Sequence, residues 1–72
     1  MPTLFSFGPY RVRIYFREHG IPHVHLISAD HAVVIAIEDG EIIEGSAPAD
    51  ALATARVWIA ENQTMLLAMW RK

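Results

Sequence analysis

His23-Val24-His25-Leu26-Ile27-Ser28-Ala29-Asp30-His31-Ala32-Val33-Val34-Ile35-Ala36-Ile37 reads as two strands joined by a tight turn. His23 to Ser28 is extended in pattern, and Ser28 to His31 carries turn chemistry. Ala32 to Ile37 is rich in β-branched residues and apolar on both faces, as a central strand should be. Working outward, Asp39-Gly40 lies between Ile37-Glu38 and Glu41-Ile42-Ile43. That dipeptide is a strong hairpin signal, because a type I′ turn needs positive φ that Asp-Gly adopts at low cost. On the N-terminal side, Val12, Ile14 and Phe16 alternate with Arg11, Arg13, Tyr15 and Arg17. This is the period of a half-buried strand over residues 10–17. Beyond Gly45 the period changes to helical, with Ser46 or Ala47 as N-cap, Pro48 in the first turn and Asp50 near the positive end of the dipole. Ala51, Ala55, Trp58, Asn62, Leu66 and Met69 form one stripe, flanked by Leu52, Ile59 and Trp70. The polar run Glu61-Asn62-Gln63-Thr64 interrupts it and marks a kink or a junction between two helices. The expected class is α+β: a small antiparallel sheet of three to four strands with a C-terminal helix, kinked or split, packed on one face.

If Ala29-Asp30 is the hairpin tip, Ser28 sits opposite His31 and His25 opposite Val34. His23, His25, Ala32, Val34 and Ala36 then share one face, and Val24, Leu26, Val33, Ile35 and Ile37 the other. The bulkier face is the natural seat of the helix. The histidine face, floored by small residues, is left for solvent, a ligand or another subunit.

With 72 residues the chain makes one domain, 1–72, near the lower limit for a self-sufficient core, and without cysteine it has neither disulfides nor thiolate metal ligands. Apolar residues make up 53% of it, more than so small a fold readily buries, so a homo-oligomer or a partner surface is expected. No apolar run is long enough to span a bilayer, and the first residues lack the pattern of a secretion signal, so the cytoplasm is the expected compartment. A formal net charge of −2 disfavours a generic nucleic-acid binder. The charge is uneven: residues 26–50 hold Asp30, Glu38, Asp39, Glu41, Glu44 and Asp50 with no lysine or arginine, whereas the flanking segments are basic. The acidic block either neutralises the arginines within the fold or attracts a basic partner.

The chemistry-bearing feature is Glu18-His19-Gly20-Ile21-Pro22-His23-Val24-His25. Two histidines two apart on a strand point the same way. With His19 from the loop they make a set able to hold a divalent transition metal (zinc, nickel or iron), with Glu18 or water as the fourth ligand. The same residues support acid–base chemistry on RNA, a histidine moving protons while Arg13, beside Tyr15, holds phosphate. The third reading is architectural: the histidines shape the turn of an interaction module, and the arginine face is solvated or paired with the acidic hairpin. Asn62, a polar member of an apolar stripe, is a candidate to support one of the histidines.

Taken together, Val12-Arg13-Ile14-Tyr15-Phe16, Glu18-His19, Pro22-His23-Val24-His25, Ile37 with Gly40-Glu41, Gly45, Pro48, and Trp58, Asn62, Leu66 and Trp70 resemble a signature. It is that of a family of short prokaryotic proteins known as domain of unknown function four-one-six-zero. Ile21 stands where the family carries the first of two prolines, which loosens the turn before Pro22. The resemblance brings no settled activity. It implies a partner, because members are often encoded beside another small protein in a toxin–antitoxin-like arrangement, and hence a toxin-like role for this bacterial chain. Some members are labelled transcriptional regulators, but no helix-turn-helix pattern is present here.

Overall fold

Residues 3–15 and 20–71 are described by the computed structural model. Five strands follow in order: β1 (Thr3–Phe7), β2 (Tyr10–Arg13), β3 (His23–Ile27), β4 (Ala32–Ala36) and β5 (Ile42–Ser46). Each is antiparallel to the next, so the described sheet is a meander ordered β1-β2-β3-β4-β5. Two helices, α1 (Ala49–Glu61) and α2 (Gln63–Trp70), complete the α+β fold.

The β3–β4 hairpin closes as its turn chemistry dictates. The Ser28 amide donates to the His31 carbonyl at 2.8 Å, and the His31 amide donates to the Ser28 hydroxyl at 3.1 Å. The resulting register sets His25 against Val34 and His23 against Ala36. Val24, Leu26, Val33 and Ile35 therefore point to the opposite face, where they are at most 1% exposed and meet Val12, Ile14, Ile37, Ala55, Ile59 and Leu66 in one buried cluster.

The sheet has five strands where the sequence suggests three to four. The unanticipated strand is β1, and its pattern explains why. The ladder with β2 shifts between Thr3 and Phe5, and Leu4, Phe5 and Phe7 all pack against the core. A bulge inserts a residue, which destroys the alternation by which strands are recognised. Phe5 stacks on Trp58 of α1, with ring centroids 5.1 Å apart and planes 5° off parallel, and also meets Phe7. Since such a ring pair contributes about 0.5–1.5 kcal/mol beyond its buried area, Phe5→Ala is expected to fray β1 first. Amide exchange of residues 3–7 should accelerate while β3 and β4 stay protected.

Three local expectations are corrected. The strand expected over residues 10–17 is paired only to Arg13, and Phe16 and Arg17 lie outside the described residues. At Asp39-Gly40 the Ala36 amide bonds the Glu41 carbonyl at 2.9 Å and the Gly40 amide bonds the Ala36 carbonyl at 3.0 Å. Four residues, 37–40, thus form the loop instead of a two-residue type I′ turn. The helix begins with Pro48 as N-cap and no side-chain cap, since Ser46 is still in the β5 ladder opposite Ala32.

The helix is split, and Asn62 is the break, with φ −118° and ψ 19°. Its backbone N–H is shared between the Trp58 and Ile59 carbonyls, and its side-chain amide also donates to the Trp58 carbonyl at 2.9 Å. This side-chain bond competes with the regular helical ladder. Next to the break, the Gln63 amide donates to the Ile37 carbonyl at 3.0 Å and the Glu38 carbonyl at 2.8 Å, while Arg56 Nε donates to the Gly40 carbonyl at 2.9 Å. Together they latch the β4–β5 loop to the helices. Gln63→Ala removes both of its bonds and is expected to cost about 1–2 kcal/mol, read as a lower urea midpoint with unchanged slope.

Candidate functional site

α1 and the buried Leu66 of α2 pack on one face of the sheet. On the other, β3 projects His23 and His25 side by side, with ring centroids 5.2 Å apart. The β2–β3 register sets Arg13 directly across from His25, and Arg11 across from Ile27. Arg13 Nε donates to the Thr3 hydroxyl at 3.3 Å, which fixes the guanidinium from the β1 side. Just beyond β2, Tyr15 meets the His25 ring edge-on, 4.4 Å between centroids at 83°. From the end of α2, Trp70 lies against His23 at 4.7 Å. The result is a continuous row of rings, Tyr15, His25, His23 and Trp70, with Arg13 alongside.

His23 and His25 are half-buried, and His25 Nε2 is shielded from solvent. His23 Nδ1 lies 2.8 Å from the Ile21 carbonyl oxygen. A carbonyl only accepts, so Nδ1 carries the hydrogen, and in the neutral ring Nε2 is the lone-pair nitrogen. Pro22 is the residue between these two groups, so the turn before β3 orients the imidazole that β3 presents. The floor is small: Ala36, opposite His23, is 3% exposed.

His23, His25, Arg13 and Tyr15, expected from sequence to form the site, are thus neighbours on one face. His19 and Glu18, proposed to complete a metal set, lie outside the described residues. Among the described residues no group of three or more His, Asp or Glu side chains is disposed to hold a metal ion. Asn62, considered as support for a histidine, instead bonds the Trp58 carbonyl and shapes the helix break. The spacing places Trp70 beside the helical core stripe, and Trp70 does pack against the core cluster. Its contact with His23 is set by where α2 ends, and helical periodicity alone carries no signal of it.

The family model for a domain of unknown function, DUF4160, matches residues 10–71, from β2 to the end of α2. The chain belongs to the DUF4160 family. No curated protein and no solved structure matches it. The family match contains the whole ring row and Arg13, whereas β1 precedes it. No helix among the described residues of this DUF4160 chain is long and apolar enough to cross a membrane.

Proposed function

We propose that this chain is one component of a small two-protein, toxin–antitoxin-like module of the bacterial cytoplasm, and that its histidine face acts on an RNA phosphodiester. The observation that carries the chemical half is the bond from His23 Nδ1 to the Ile21 carbonyl, which leaves Nε2 as a base on the ring beside His25, with Arg13 across the ladder from His25. The two-protein half rests on the family resemblance, which implies an adjacent partner gene.

The chemistry follows from these groups. His23 Nε2 takes the proton of a ribose 2′-hydroxyl. The oxygen's electron pair attacks the adjacent phosphorus, and the bond from phosphorus to the 5′-oxygen breaks with its electrons on that oxygen, which takes up a proton from water, while the protonated His23 returns its proton to solvent. The products are a 2′,3′-cyclic phosphate and a free 5′-hydroxyl. Arg13 neutralises the charge that grows on the non-bridging oxygens, where a planar fork of N–H donors is well matched. Tyr15 packs on His25 and holds the row in place.

With a net charge of −2 the chain has no broad basic surface for RNA. Binding would rest on Arg11 and Arg13 locally, with the second protein able to complete the surface. Inducible expression of the chain alone is expected to arrest growth, and co-expression of the neighbouring protein to relieve the arrest. If His23→Ala, still folded by circular dichroism, arrests growth as strongly as the parent, the RNA reading is wrong.

The His23 geometry also suits a second reading. A neutral imidazole whose Nδ1–H is held by a carbonyl is how metal-binding histidines are commonly oriented. His23 and His25, with His19, would then take a divalent transition metal. Native mass spectrometry separates the readings: a stoichiometric metal adduct lost in His23→Ala supports the metal site.

A further inference from the structure

We propose that the free edge of β5 is a docking site for an extended, basic segment of a different protein, added to the sheet as its next strand. This deepens the two-protein reading above and rests on it for the existence of a partner. β5 pairs with β4 on one side and ends the described sheet on the other. All of its residues are exposed, including Ile42 at 39% and Ile43 at 47%. The ladder to β4 is bulged between Ile42 and Glu44 and Gly45 stands at φ +87°, so the edge is irregular, but its outward main-chain donors and acceptors have no strand beside them and its exposed apolar side chains give an added strand something to cover.

Charge selects the occupant. Glu44 lies in β5, Glu41 immediately precedes it, and Glu38 and Asp39 are in the loop that leads to it, within the stretch 26–50 that holds no lysine or arginine. Among the described residues, none of these carboxylates enters an ion pair; Asp39 accepts only the Glu41 amide. Arg56 touches the hairpin but binds the Gly40 carbonyl. Natural edges are commonly blunted by charge, most often lysine, by proline or by a bulge. Here the guard charges are all acidic, which repels like edges and attracts a cationic strand. A second copy is disfavoured on the same ground, since an antiparallel β5 pair centred on Ile42-Ile43 would set Glu41 of each copy against Glu44 of the other. Joining β5 of one copy to β1 of the next generates a ring or an open array instead of a two-fold dimer.

The probe is a labelled synthetic peptide of alternating valine and arginine, compared with one in which glutamate replaces arginine. Anisotropy reads affinity, and amide exchange of the full chain reads location. The basic peptide is expected to bind, to protect residues 42–46, and to weaken as salt rises. Glu41→Gln with Glu44→Gln should weaken it several-fold, and Glu41→Lys with Glu44→Lys at least ten-fold, with preference passing to the acidic peptide. Absence of binding, protection centred on β1, or indifference to charge reversal would overturn the proposal. The assay contains no RNA and no module partner, so its failure leaves the RNA chemistry standing. Conversely, full activity in His23→Ala with intact edge binding overturns only the RNA reading.

Discussion

Gly45→Ala is expected to remove about 3 kcal/mol or more of stability, the largest loss from any single methyl group in this fold. Gly45 lies in β5 opposite Val33 with φ +87°, a left-handed conformation that costs a residue bearing a Cβ about 1–2 kcal/mol. Space adds a second, larger penalty. A Cβ built there overlaps the Ala32 carbonyl oxygen and approaches the Val33 Cα to 3.1 Å. Both are backbone atoms of the neighbouring strand, so relief requires β4 and β5 to separate. A domain of 72 residues has on the order of 4–11 kcal/mol in total. The melting temperature should therefore fall by roughly 12 °C or more. Gly8→Ala is the control: Gly8 has φ +52° but open space around the added methyl, so only the conformational cost of about 1 kcal/mol is expected. Equal losses at the two positions would show that the β4–β5 approach is not tight.

On the proposed RNA chemistry, His23→Ala is expected to lower cleavage by the purified chain about 10²–10⁴-fold, the usual contribution of a positioned proton-transfer group. The comparison needs two companions, because His23 also packs against Trp70 and His25. Trp70→Leu disturbs that packing but leaves the imidazole and its bond to Ile21, so it should retain most of the rate. Arg13→Lys keeps the charge but loses the planar fork, and should slow the reaction by an intermediate factor. A substrate with deoxyribose at the scissile position must be inert, since the attacking oxygen is then missing. Cleavage of that substrate, or full activity in His23→Ala, would remove the histidine from the chemistry.

Much of the site was legible because it depends on local rules. Ser28 to His31 forms a turn through its own backbone and hydroxyl bonds, and that turn alone puts His25 opposite Val34. Once the register is fixed, strand alternation assigns His23 and His25 to the face away from Val24 and Leu26. Arg13 and Tyr15 follow from the alternation of their own strand. What was not legible involves groups far apart in the chain. Trp70 reaches His23 from the last turn of α2, and the Asn62 amide serves the Trp58 carbonyl and not a histidine.

The sequence by itself determined the α+β class, the faces of the β3–β4 hairpin, the histidine pair and the place of the helix break. All of these are set by side-chain period or turn chemistry within a few residues. Only the tertiary structure decided that residues 3–7 are a strand, where a bulge hides the period and Trp58 supplies the stacking partner. It also decided that β5 runs on to Ser46 and displaces the helix start to Pro48, and that Gln63 and Arg56 hold the 37–40 loop. Those outcomes depend on which distant backbone groups need partners once the layers meet, and no local pattern encodes that demand.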